Sequence, residues 1–302
     1  MGRGQAGGIF RDSPETKTAI EIVIDMRETE ISFSPIEIVR DDFPRGRFRA
    51  VLFDFDGTLS LIRRNWQQVM IPMMVETLAA TGTGEGREQL AAHVEEFVMR
   101  LNGKQTIYQM MQLADEVRQR GAIPREPLEY KHQYHELLWA QISHRVTGLK
   151  AGTTEPDELT VPEARRLLER LTARGLTLYL ASGTDLNYVE DELKALRLDA
   201  FFGPRVYGAL DNHQAFSKAM IIERIISEMG VAGEELLAFG DGYVEIEETR
   251  RAGGVAIGVA SEEETMQGVN AWKRNRLLRA GADVIIGDYR RQDELLEILG
   301  LE

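Results

Sequence analysis

Apolar and polar positions change rhythm along this chain of 302 residues, and each rhythm predicts a different structure. Over residues 18–26 and 30–39 they alternate, the period of a half-buried strand. Residues 1–48 are therefore expected to be an N-terminal extension carrying a β-hairpin, packed on the core or on another subunit. Across residues 61–158 the period is helical: Leu90, Val94, Phe97, Val98 and Leu101 keep one face apolar, as do Tyr134, Leu137, Leu138 and Ile142. From residue 159 onward, short apolar runs at 176–181, 236–239, 255–259 and 284–286 read as strands. Between them lie helical stripes, one of Leu186, Val189, Leu193 and Leu196, another of Ile221, Ile222, Ile225, Ile226 and Met229. Thr160-Val161-Pro162-Glu163 has the form of a capping box opening a further helix, striped by Ala164, Leu167, Leu168 and Leu171 and ended by Gly175. Strands alternating with helices mark a parallel sheet covered on both faces. The apolar run at 50–55 belongs with this set. The expected fold is thus an α/β, Rossmann-like doubly wound core built from residues 49–60 and 159–302, with the helical module of residues 61–158 inserted after its first strand.

Size agrees with this division, since 302 residues exceed the usual single domain and 43% hydrophobic content suffices for a substantial core. A formal charge of −13 argues against binding a nucleic-acid backbone. The chain has no cysteine, which excludes disulfides, thiolate metal sites and a cysteine nucleophile. Any metal would need oxygen or imidazole ligands. No apolar h-region opens the chain and no run of about eighteen apolar residues occurs, so a cytoplasmic protein without membrane contact is expected. Whether it forms a homo-oligomer is open.

Chemistry enters at the strand ends, where ligands bind in open α/β sheets. The run at 50–55 closes in Asp54-Phe55-Asp56-Gly57-Thr58. Two carboxylates spaced by two residues start on one side of a strand, and burying both is costly unless a cation or a shared proton compensates. Gly57 and Thr58 let the chain turn sharply away. The next strand ends in Ser182-Gly183-Thr184-Asp185, a hydroxyl and a glycine amide at a helix N-terminus, suited to an anion. Lys218 opens a helix after Ser217, where a cation opposes the helix dipole unless an anion is near. A further strand runs into Gly240-Asp241-Gly242-Tyr243-Val244-Glu245, a second pair of acids.

Together these four segments resemble the haloacid dehalogenase superfamily of aspartate-nucleophile phosphotransferases: DFDGTL as the first motif, Ser182 as the second-motif hydroxyl, Lys218 as the third-motif lysine, and GD followed four residues later by an acid as the fourth. The inserted helical module resembles that family's C1 cap. The second acid of the fourth motif is usually Asp, whereas this chain has Glu245. The resemblance implies that Asp54 is the nucleophile and forms an aspartyl phosphate. It makes Asp56 the proton donor and acceptor, oriented by Thr58. Ser182, Gly183 and Lys218 would hold the phosphate. It implies Mg²⁺ on the Asp54 carboxylate, the Asp56 backbone carbonyl and Asp241, with Glu245 direct or through water. The expected activity is hydrolysis of a small phosphorylated metabolite, a sugar phosphate being favoured; a phosphomutase, or a binding or regulatory protein without turnover, stays open. The second acid, Asp56, disfavours a dehalogenase. Arg63, Arg64 and Trp66, at the hinge into the helical module, either meet the leaving group or form a solvated helix start.

Other features read as structural. Thr81-Gly82-Thr83-Gly84-Glu85-Gly86 is a connector, His132, His135 and His144 a helix surface, and Met70, Met73, Met74, Met110 and Met111 an adaptable core. The basic run Lys273, Arg274, Arg276 and Arg279 is expected on a solvated helix face, with a partner as the other possibility.

Overall fold

Strand runs that are apolar on both faces fit only the middle of a covered sheet, and the strand bearing the aspartates lies there. In a computed structural model describing residues 35–302, the strands β1 (Ile36–Ile38), β2 (Ala50–Phe53), β3 (Thr177–Asp185), β4 (Val206–Ala209), β5 (Leu236–Gly240), β6 (Val255–Val259) and β7 (Val284–Ile286) form one sheet, ordered β1-β7-β6-β5-β2-β3-β4. All neighbours are parallel except β1, which runs antiparallel to β7 with Ile36 opposite Ile286. The alternating stretch at 30–39 thus ends in a sheet-edge strand whose partner is β7. The stretch at 18–26 lies outside the described residues.

Side chains of β2 divide between the two faces. Val51 and Phe53 join the larger apolar cluster, with Phe53 stacked on Phe239 at 4.8 Å, while Ala50 and Leu52 pack on the opposite face with Ile221, Ile222 and Ile225. Truncating a fully buried Phe such as Phe53 to Ala would cost about 3–5 kcal/mol. The register Phe53↔Phe239 on one side and Phe53↔Leu180 on the other brings the carboxyl ends of β5, β2 and β3 to one edge.

Four helices follow β2 before the chain returns to the sheet: α1 (Gln67–Ala79), α2 (Arg87–Leu101), α3 (Thr106–Gln119) and α4 (Pro127–Ala151). Pro127 at the first turn of α4, with the Glu129 carboxylate accepting from the Glu126 amide at 3.0 Å, starts that helix, and Gly152 ends it in the left-handed conformation. Its buried face includes Tyr130, Tyr134, Leu138, Ile142, Val146 and Leu149, spaced by four residues and, at the last step, by three; Leu137, expected on that face, is exposed. Met70, Met73, Met74 and Met110 are buried between these helices, whereas Met111 is exposed. The remaining helices are α5 (Ala164–Ala173), α6 (Leu186–Ala195), α7 (Asp199–Phe202), α8 (Lys218–Met229), α9 (Tyr243–Arg251), α10 (Ala271–Ala280) and α11 (Gln292–Ile298). The capping box expected before α5 does not form: its N-cap is Glu163 in left-handed backbone, and Thr160 instead bridges to Ser60 and donates its hydroxyl to the Asp157 carbonyl. Among the described residues, no helix is long and apolar enough to cross a membrane.

Candidate active site

Asp54 continues the ladder one residue past β2, donating its amide to the Phe239 carbonyl at 2.9 Å, so its position is fixed by the sheet. The chain then folds back on itself, with the amides of Leu59 and Ser60 both donating to the Phe55 carbonyl. Gly57 makes this turn at φ +73°, and a Cβ there would lie 2.3 Å from Oδ2 of Asp241. Glycine is needed both for the backbone and for the approach of the second acid.

Around Asp54 the charges interlock. Lys218 Nζ lies 2.9 Å from its Oδ2 and 2.7 Å from Oε2 of Glu245, and all three side chains are buried. Ser217 caps α8 by accepting from the Met220 amide, which fixes where Lys218 emerges; the anions that offset its place at the helix start are these two carboxylates. Burial lowers the proton affinity of Lys218, but the Asp54 and Glu245 charges more than reverse this and hold it protonated. Burial pushes the Asp54 carboxyl well above its usual range; Lys218 opposes this, while Glu245 and Asp241 add to it. Glu245 also accepts from the Gly242 amide at 2.7 Å, as the third residue of α9 reaching back to the helix start.

Asp56 faces the same cleft, as Thr184 Oγ1 donates to its Oδ2 at 2.8 Å and its Oδ1 is buried without a hydrogen bond. Burial raises its pKa to about 7, opposed by Arg63 and aided by Glu192. Thr184 therefore does what was expected of Thr58, whose hydroxyl is buried without a partner. Ser182 is buried at the end of β3 and accepts from the Thr184 amide at 3.1 Å, so it shapes the turn that presents Thr184; Gly183 lines the cleft itself. Arg63 is buried and grips Glu192 through Nε and Nη2 at 2.7–3.1 Å, with Nε 4.0 Å from Asp56 Oδ1. Neither Thr184 nor Glu192 was singled out from sequence. Glu192 lies between Val189 and Leu193, and an acid on the apolar stripe of α6 was the available signal.

Lys273 and Arg276 overturn the expectation of a solvated basic face. Lys273 is buried, with Nζ 2.9 Å from Asp241 Oδ2, 2.6 Å from Glu263 and 3.0 Å from the Ser261 hydroxyl. Arg276 donates to the carbonyls of Met99 and Asn102, both at 2.6 Å, satisfying the end of α2. Arg274 pairs with Glu37 beside β1. His135 is also not a surface residue: half-buried against Tyr188, it is held neutral, its pKa lowered to about 3 by burial and then by Arg63 and Lys131. The segment after α2 closes the cleft from the far side. Gln105, buried, donates to the carbonyls of His213 and Phe216, and a Cβ on Gly183 would lie 2.7 Å from the Lys104 carbonyl.

Asp54, Asp241 and Glu245 each offer a carboxylate oxygen, and these oxygens lie within 4.8 Å of one another. Three hard oxygen donors at a buried point fit a divalent cation such as Mg²⁺. Charge is consistent with the fit: the acids Asp54, Asp56, Glu192, Asp241, Glu245 and Glu263 exceed by one the cations Arg63, Arg64, Lys104, Lys218 and Lys273.

A parallel sheet with carboxylates gathered at its carboxyl edge, and a helical insertion directly behind the first of them, defines an α/β protein whose site works through acids. This chain belongs to the haloacid dehalogenase-like hydrolases, whose family model matches residues 48–253. Among solved structures it is similar to a predicted phosphoglycolate phosphatase from Haemophilus somnus (17% identity, TM-score 0.55, covering 82% of this chain and 98% of that one). It is similar also to a β-phosphoglucomutase from Clostridium difficile (12% identity, TM-score 0.57, 83% and 97%) and a hydrolase from Pseudomonas syringae (20% identity, TM-score 0.55, 83% and 99%). At these identities the likeness is one of fold. No curated protein matches the sequence.

Proposed function

We propose that this hydrolase cleaves phosphomonoesters of small cytoplasmic metabolites, carrying the phosphoryl group on Asp54 between two steps, with residues 61–158 as the cap over the site. The observation that carries this reading is the pair Asp54 and Asp56 on one cleft: the first is gripped by Lys218, and the second has a pKa of about 7. An Asp54 oxygen attacks phosphorus as the bond to the leaving oxygen breaks, and Asp56 delivers its proton to that oxygen. Asp56, now ionised, takes a proton from water; the water oxygen bonds to phosphorus and the Asp54–phosphorus bond breaks, restoring both carboxylates. Lys218 offsets the negative charge that accumulates beside Asp54, and the amide of Gly183, which lines the cleft, donates to a phosphoryl oxygen in this reading. Ser182 supports this by fixing the turn at Gly183 and Thr184. Asp54, Asp241 and Glu245, with the Asp56 carbonyl, would hold Mg²⁺, which when bound draws charge from the phosphoryl oxygens.

Phosphate release from a panel of small phosphomonoesters, sugar phosphates included, should require added Mg²⁺ and fall by roughly two orders of magnitude or more in Asp54→Asn, as for the loss of a nucleophile. Near wild-type turnover by that variant, or none by the native chain on any panel member, would sink the reading.

A further inference from the structure

The two walls of the cleft carry opposite charge. Three cations of the site are matched: Lys218 and Lys273 from the core, and Arg63 at the start of the insertion, each have a carboxylate at 2.7 Å or less. On the side supplied by the helical insertion, Arg64 and Lys104 line the cleft, and no acid from residues 61–158 lines it. Neither has an ion pair or side-chain hydrogen bond among the described residues; Lys104 rests only on the Tyr108 ring, 5.9 Å away. Next to Arg64, Arg145 donates to the carbonyls of Ile62 and Arg64 and meets no carboxylate among the described residues. Burial, and then the Arg64 charge, push the Arg145 guanidinium below its usual value. In a chain with 49 acidic and 36 basic side chains, acids to neutralise this wall are plentiful, and none is there.

The wall is also held in place. Arg276 fixes the Met99 and Asn102 carbonyls, Gln105 fixes the other end of the same segment to the core, and Lys104 lies between them. The backbone carrying this cation is therefore set before a ligand arrives, which lowers the ordering cost of binding.

We propose that the leaving group of the substrate carries a second anionic group, a carboxylate or a phosphate, received by Arg64 and Lys104 across the cleft from Asp54. This rests on the phosphomonoester reading above. The substrate is then a phosphorylated acid or a bisphosphate, and a neutral phosphorylated alcohol of the same size is a poor one. A guanidinium and an ammonium facing a desolvated anion supply discrimination that neutral polar groups cannot.

The test uses matched pairs: phosphoglycerate against glycerol phosphate for a carboxylate, and propanediol bisphosphate against hydroxypropyl phosphate for a phosphate. The anionic member of at least one pair should have kcat/KM higher by about tenfold or more, equivalent to about 1.4 kcal/mol. Which pair shows it identifies the anion. The preference should shrink at about 0.5 M salt, and fall several-fold in Lys104→Met or Arg64→Met while Lys104→Arg retains most of it. Because each ratio is read within one protein, losses from folding cancel. Equal or reversed preference in both pairs overturns the proposal even if all four compounds are hydrolysed. If none is hydrolysed, the catalytic reading fails separately, and calorimetric binding of the same pairs to the Mg²⁺-supplemented protein decides this one by the same ratio.

Discussion

Removing Glu192 should damage this protein more than removing any exposed charge, and removing its partner as well should repair most of the damage. Glu192 and Arg63 are 2% and 8% exposed and are joined by three hydrogen bonds of 2.7, 3.0 and 3.1 Å. At such separations in a protein of moderate effective dielectric the attraction is on the order of 4 kcal/mol. Both groups have nevertheless lost their water, so the net worth of the pair is small, while either charge left alone is expensive. Glu192→Leu and Arg63→Met should each lose roughly 3–5 kcal/mol of stability. The double variant, with apolar groups of similar volume in place of both, should lie within about 2 kcal/mol of the native chain. Urea unfolding at pH 7, followed by tryptophan fluorescence and circular dichroism, measures all four corners of the cycle, and an unchanged m-value shows that only stability has moved. Turnover should part from stability in the double variant, staying well below native, because Arg63 also restrains the proton affinity of Asp56 across 4.0 Å. A loss under about 1 kcal/mol in either single variant, or a double variant that loses the sum of the two, would refute this account of the pair.

Two further outcomes follow from the same charge arrangement. Lys273→Met removes an ammonium 2.9 Å from Asp241, so Mg²⁺ measured by calorimetry should bind several-fold tighter while the metal-free protein loses roughly 2–4 kcal/mol; unchanged affinity would mean that the lysine does not compete for that carboxylate. Asp56 keeps its proton up to about pH 7 in the folded chain and sheds it near 3.8 when unfolded, so the folded state binds more protons between these values and its stability falls as pH rises through them. For the metal-free protein the Asp56 share of this loss amounts to about 4 kcal/mol at most, and Asp56→Asn should show a shallower fall, keeping only what the raised Asp54 carboxyl adds; a native chain whose unfolding free energy in EDTA is flat from about pH 5 to 7 would contradict it.

The parallel strands β2, β5, β6 and β7 were legible because each is an uninterrupted apolar run buried on both faces. By contrast β4, Val-Tyr-Gly-Ala, was not: it is a half-buried edge strand, and its glycine and mixed polarity match no strand period. The basic run at 273–279 was misread for a related reason. Charge signals solvent unless its partner is known, and the partners of Lys273 and Arg276 are Asp241 and Glu263 on neighbouring loops and backbone carbonyls of a helix far away in sequence.

Within the site, the boundary between legible and hidden runs between local and lateral contacts. Asp54, Asp56, Ser182, Lys218, Asp241 and Glu245 could be named because each stands at the end or start of an element whose pattern is plain in the chain. What each touches depends on strand order, and strand order is not written locally. Thr58 was the natural partner for Asp56 because it is two residues away, yet the hydrogen bond comes from Thr184, 128 residues on, because β3 lies directly beside β2. Arg63 and Glu192, 129 residues apart, meet through the same adjacency, with α6 leaving the end of β3. The charge on the far wall is only half hidden: Arg64 stands at the hinge, where the sequence leaves a leaving-group contact and a solvated helix start both open, whereas Lys104 carries no local signal, and the fold brings both to the cleft without an ion pair among the described residues. A site built on strand ends thus exposes the acids at those ends to sequence reading but conceals the side chains that touch them and shift their proton affinities, because those come from whichever element lies alongside.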